Sequence, residues 1–233
     1  MSADGTGPAG RRRLVRSARR LAVMGATAAF VVLLAQHTTT AAFTAQTGDA
    51  ANSASTAASF CASPGGTTVA ATADTTGYQQ NATTIYGTSV DVGAGSGSGA
   101  NGRVLVKFAL PALGARCVVT AATLRLYAHT PQAGRTIDVY RVDPVAPAWS
   151  EATTNWNNQP ATTGTAVGVA SLASAGWQQW TVTSMVTSMY ASANSGFLLR
   201  DRSEGSGTAY WQLYAARENA TAANRPQLVL TWG

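Results

Sequence analysis

The chain holds only two histidines, His37 and His129, in 233 residues. A serine or cysteine nucleophile needing an imidazole base would have to use His129, which precedes Thr130-Pro131 and is expected at a solvated strand end. Charge is scarce too, at 11 % of residues. The carboxylates Asp138, Asp143, Glu151, Asp201, Glu204 and Glu218 show no spacing that marks a catalytic pair. Two cysteines without a CxxC spacing do not make a zinc framework, and neither a phosphate loop nor a dinucleotide fingerprint occurs. Among enzymes, a polysaccharide lyase working with Tyr and Lys or Arg alone stays open. No contiguous calcium loop is present, although Asp74, Asp91 and Asp201 could each lend an oxygen to a structural calcium. No cofactor and no metal site is expected.

A long hydrophobic run is also missing. The longest apolar stretch, Leu21 to Ala35, is diluted by Gly25 and Thr27 and falls short of the ~20 residues that span a bilayer. It follows Arg11, Arg12, Arg13, Arg16, Arg19 and Arg20 and precedes the small residues Thr40 and Ala42, the arrangement of a signal peptide over residues 1–42 with Phe43 as the mature N-terminus. Arg12-Arg13 resembles a twin-arginine signal, but no Phe follows at the usual offset, so the export route stays open. These six arginines against Asp4 account for most of the net charge of +6; the remainder has ten Lys or Arg against nine Asp or Glu, about +1. The basicity therefore belongs to the leader. No nucleic-acid partner and no membrane insertion after cleavage are expected, and the mature chain reads as a secreted monomer. In that oxidising setting an even count favours a Cys61–Cys117 disulfide over two free thiols. The loop it closes would contribute on the order of 4 kcal/mol.

Residues 43–68 are rich in Ala, Ser and Thr and read as a tether. From Val69 to the end at Gly233, short alternating segments separated by turn residues indicate one antiparallel all-β domain, as in sandwiches and barrels. The alternation predicts strands over Arg103 to Phe108, Ala122 to Ala128, Ile137 to Val142, Gln179 to Val182, Gly196 to Arg200, Tyr210 to Tyr214 and Leu228 to Trp232. Val104, Val106, Phe108, Leu124 and Leu126 should face inward. Gly93 to Gly102 reads as a flexible loop. Thr183 is expected to cap one short helix that buries Met185, Val186, Met189 and Tyr190.

If the strands carrying Lys107 and Arg125 share a sheet, Arg103, Lys107, Arg125 and Tyr127 form one outward cationic face. Such a face suits the carboxylates of an acidic glycan, which Arg binds in bidentate fashion. A second candidate lies in a long connection holding Trp149, Glu151, Trp156 and Asn157, where flat rings could cover a pyranose and amides bond its hydroxyls. The competing reading makes these tryptophans plugs at the ends of the domain. Trp180 and Trp232, on alternating segments, read as core.

Arg103-Val-Leu-Val-Lys-Phe-Ala-Leu-Pro111 followed by Ala121-Ala-Thr-Leu-Arg-Leu-Tyr127 resembles the R-x-L-x-x-F-D-L-P … S-A-T-L-R-L-Y pattern of DNRLRE-domain proteins, also described as carbohydrate-binding module family 96. Trp149-Ser-Glu151, Trp156-Asn-Asn-Gln-Pro160, Gly196-Phe-Leu-Leu-Arg-Asp201, and Ala216-Arg-Glu218 before Pro226-Gln-Leu-Val-Leu230 follow in the same order. The family's Asp in F-D-L is Ala109 here, its Asp before V-T is Thr181, and its Ser in S-R-E is Ala216. The leader and Ala42-Phe-Thr-Ala-Gln-Thr47 look like those of actinobacterial exported proteins. The resemblance implies a β-sandwich of jelly-roll type over residues 69–233 that binds polysaccharide, with uronic acid chains as the known substrate class. It also implies that Arg200, Asp201, Arg217 and Glu218 form an internal ion-pair network. The resulting expectation is a secreted, non-catalytic polysaccharide-binding module; its rivals are an adhesive or structural cell-surface domain and a small lyase.

Overall fold

A computed structural model describes residues 60–233. The expected leader, and all but the end of the expected tether, lie outside the described residues. Ten strands and one α-helix follow in order: β1 (Gly65–Tyr78), β2 (Asp91–Ser96), β3 (Gly102–Phe108), β4 (Val119–Thr130), β5 (Thr136–Val142), β6 (Thr162–Ala170), β7 (Gly176–Thr181), α1 (Thr183–Ala191), β8 (Phe197–Asp201), β9 (Tyr210–Ala215) and β10 (Gln227–Trp232). β1 begins four residues before the expected start at Val69.

All pairings are antiparallel, as expected, but the jelly-roll sandwich is corrected. Six strands close a ring in the order β1-β10-β4-β9-β2-β3, and β3 returns to β1. β8, β5 and β6 extend the sheet beyond β3, and β7 pairs with β4. Closure comes from two long strands that change partner along their length. β1 pairs through Gly65–Ala70 with β10 and from Ala71 to Tyr78 with β3, with a register shift between Ala71 and Ala73 at the handover. β4 passes from β10 and β7 to β9, with a second shift between Ala128 and Thr130. Such irregularities bend a strand, and closing the ring removes edges that would otherwise carry unpaired backbone groups.

The ring is filled by the residues whose alternation points them inward. Val104, Val106, Phe108, Leu124 and Leu126 are at most 2 % exposed, and each buried Leu or Phe contributes roughly 2–3 kcal/mol. Trp180 is fully buried and donates its Nε1–H to the Ile137 carbonyl (3.0 Å). Trp232 packs only partly against the core, its indole bonded to the Ser63 carbonyl (2.9 Å). The interior is not wholly apolar: Gln178, Gln212 and Tyr214 are buried and bond one another. Helix α1 buries Met185, Val186 and Met189 as expected, but Val182 is its N-cap. Thr183 instead accepts the Ala122 amide through Oγ1 (3.0 Å), tying the helix to β4. Cys61 and Cys117 form the expected disulfide, 56 residues apart, and pin the chain just before β1.

Candidate functional site

The expected single cationic face does not form. β3, with Arg103 and Lys107, and β4, with Arg125 and Tyr127, lie three steps apart around the six-strand ring in either direction. Alternation decides which way a side chain points, but not which strands become neighbours.

On the β3 side, backbone register lines up Gly77, Arg103, Arg200, Asp138 and Gly168 across five strands. Arg103 forks onto Glu204 (Nε–Oε1 and Nη2–Oε2, both 2.7 Å) beneath Trp156, whose ring lies 4.7 Å from the guanidinium carbon. Trp156 opens a short 3-10 turn that Asn155 caps by accepting the Asn157 amide (3.0 Å). The turn packs down on Gly77, where a Cβ would come within 3.2 Å of the Trp156 Cα. Arg200 stacks on Tyr140 (4.6 Å) and donates to its hydroxyl (2.8 Å), while Arg202 forks onto Asp138. Carboxylates thus already engage Arg103 and Arg202. Lys107 sits 5.8 Å over Trp149.

The proposed edge site also divides. Trp149 is 7 % exposed, donates to the Ser195 carbonyl (2.7 Å) and closes a small outer cluster with Leu105, Val142 and Leu198. It is a plug, as the competing reading had it. Glu151 is held by a bidentate Arg217 pair (3.0 and 2.8 Å) and accepts the Asp74 amide (2.8 Å). Glu151 and Trp156 are half-buried, and Asn157 is exposed.

The four-residue ion-pair network is corrected as well. Arg200 and Asp201 point to opposite faces of β8, so they cannot share partners: Asp201 takes Arg135 (2.8 and 2.7 Å), and Arg200 reaches Glu204 (3.6 Å). Arg217 does pair with Glu218 (2.7 Å), within a cluster that also contains Asp74 and Glu151. Oxygens of Asp74, Glu151 and Glu218 lie within 4.8 Å of one another, and the Arg217 guanidinium already supplies their counter-charge. Burial pushes the Asp74 carboxyl up to about 7; the Arg217 amide opposes this, and the Glu218 and Glu151 charges add to it. The three candidate calcium ligands are dispersed, with Asp91 beside His129 (2.9 Å) and Asp201 under Arg135.

The β4 half of the expected face stays together and gains partners that sequence reasoning missed. Gln227 of β10, Arg125 of β4 and Gln179 of β7 stand side by side in register, with the Tyr127–Trp177 pair in the next row but one. The Arg125 guanidinium stacks on Trp177 (4.6 Å), and Tyr127 meets the same ring edge-on (5.6 Å, 80°). Among the described residues Arg125 donates one bond, Nη1 to Gln227 Oε1 (3.3 Å), and its Nε has no acceptor there. Among the described residues no carboxylate lies within 4 Å of Arg125. The arrangement offers a planar cation, a flat ring and two amides on one outward surface. The alternation of Gly176–Thr181 could have placed Trp177 and Gln179 outward; their pairing with β4 could not be read from it.

No curated protein matches the chain. The model of a family described as Carbohydrate-binding module family 96 matches residues 66–232, from the start of β1 to the end of β10. Modules of this class bind carbohydrate and are not catalysts. An outward surface of ring, guanidinium and amides on an all-β scaffold fits that class, and the match covers more than half of the sequence: the chain belongs to carbohydrate-binding module family 96.

Proposed function

We propose that the chain is an exported module that binds an acidic polysaccharide through Arg125, Trp177 and Tyr127, with Gln179 and Gln227 at the sides. The supporting observation is the unneutralised guanidinium: Arg103, Arg135, Arg202 and Arg217 each hold a carboxylate, whereas Arg125 stacks on an indole with most of its N–H groups unpartnered among the described residues. A uronate carboxylate would be its missing partner, and the Trp177 ring would cover the apolar face of the same or the next sugar. In this reading residues 1–42 are a cleaved leader and residues 43–68 a tether shortened by β1, and the mature protein is a secreted monomer. The disulfide suits an oxidising compartment.

Affinity electrophoresis against polygalacturonate and alginate tests the reading. Wild-type protein is retarded, and Arg125→Ala weakens retention by about 10- to 100-fold, the range of one lost charge-assisted bond. Arg125→Lys recovers only part, because an ammonium cannot fork or stack. Unchanged retention in Arg125→Ala moves the site elsewhere. Failure of the wild type to be retained by any glycan leaves the adhesive or structural reading, and release of unsaturated ends from either polymer turns the module into a lyase.

A further inference from the structure

A second surface, lined by none of the residues in the foregoing proposal, has a different chemistry. Tyr78, Gln80, Asn81, Tyr86, Trp211 and Leu213 line an open cleft of about 270 Å³. Tyr78 stands edge-on to Tyr86 (4.7 Å, 87°) and to Trp211 (5.2 Å, 68°), so three rings form its walls. Trp211 is outward on β9, opposite in facing to the buried Gln212 and Tyr214. Its ring lies on Gly95 and Gly102, where a Cβ would come within 2.3 and 2.5 Å of it. Two glycines inside strands weaken a sheet; here they let a large ring lie against the backbone and remain half exposed. At the rim, Gln80 and Asn81 are exposed, and Asn81 donates from Nδ2 to the Tyr86 hydroxyl (3.0 Å), while its side-chain Oδ1 meets no donor among the described residues.

None of the six lining residues is charged. Burial also pushes the Tyr78 hydroxyl up from its ordinary value, so it remains a neutral donor, and Asp91 is close enough to reinforce that shift. A carboxylate entering this cleft would lose water and find no cation among the lining residues. A neutral pyranose would lose little: its C–H face covers a ring, and its hydroxyls meet phenol and amide groups at the edge.

We propose that this cleft is a second subsite that takes one neutral hexose unit of a polysaccharide. The proposal rests on the carbohydrate-binding reading and adds a substrate class to it. With the acidic subsite on β4, it would select chains or mixtures that carry both neutral and uronic units.

The test runs the full chain on native gels containing galactomannan, xyloglucan or mixed-linkage glucan, with polygalacturonate gels alongside. Wild-type protein is retained by at least one neutral polymer. Tyr86→Ala, a loop variant that leaves the core intact, weakens that retention at least tenfold, and Trp211→Phe abolishes the change in tryptophan emission that the neutral polymer causes. Retention by none of the neutral polymers, or equal retention of wild type and both variants, overturns the subsite. Retention by polygalacturonate alone overturns the subsite and leaves the earlier reading standing; retention by neither kind of gel overturns both.

Discussion

Asp74 is the residue at which burial and charge conflict most openly. Its carboxyl is 1 % exposed and sits with Glu151 and Glu218, and burial holds it near 7. In the unfolded chain it would ionise near 4. Between those values the folded protein keeps a proton that the unfolded chain releases, so stability falls as pH rises from about 4 to about 7 and levels off above. The cost at pH 8 is a few kcal/mol, offset in part by the Arg217 amide that donates to Oδ2 (2.7 Å). Asp74→Asn keeps an acceptor for that amide without the charge. Thermal melts from pH 5 to 8 should show the wild-type Tm declining and the variant's Tm level. A variant that declines as steeply as wild type would place the pH dependence elsewhere.

At the scale of elements, the connection from β5 to β6 is held by Trp149 at one point and Glu151 at another. Removing the Trp149 ring opens a hole over Leu105, Val142 and Leu198 and orphans the Ser195 carbonyl. Trp149→Ala should cost about 3–5 kcal/mol in urea unfolding, and the milder Trp149→Phe should fold and bind polysaccharide as wild type does. A tenfold loss of binding in folded Trp149→Phe would return this ring to the binding surface. Such elements were unequally legible in the sequence. β4 and β10 alternate cleanly because one face is buried and the other wet, so their inward residues could be named; the inward residues of β3 could be named too, although Leu105 on its outward face is buried under Trp149. β2 was hidden because its glycines, Gly93 and Gly95, look like a loop until Tyr78 and Trp211 are seen against them. β6 escaped notice because Thr162–Ala170 buries neither face fully. The candidate site was half legible for a related reason. Arg125 and Tyr127 follow from the period of β4, but Trp177, Gln179 and Gln227 join them only through long-range pairing, which no local pattern encodes.

For the whole molecule, the distribution of charge decides what kind of binder this can be. Outside residues 1–42 the sequence is close to neutral, and most acids of the described domain are committed to arginines. Lys107, Arg116, Arg125, Arg141 and Arg225 have no carboxylate within 4 Å among the described residues, and they belong to different elements. Arg141 instead donates to Ser192 (3.0 Å), and Arg225 to the Asn219 carbonyl (2.9 Å). A protein that captured acidic glycans by overall charge would neutralise many anionic groups at once, and its affinity would drop by about tenfold per neutralised group for each tenfold rise in salt. Capture through Arg125 engages one or two groups. Raising NaCl from about 50 to about 500 mM should therefore weaken polygalacturonate binding by roughly 10- to 100-fold. Arg125→Ala should flatten that dependence, because the remaining contacts are stacking and amide bonds. A thousandfold loss with salt in the wild type, or an undiminished slope in Arg125→Ala, would mean that the cations act together and that specificity does not come from the ring-and-guanidinium surface.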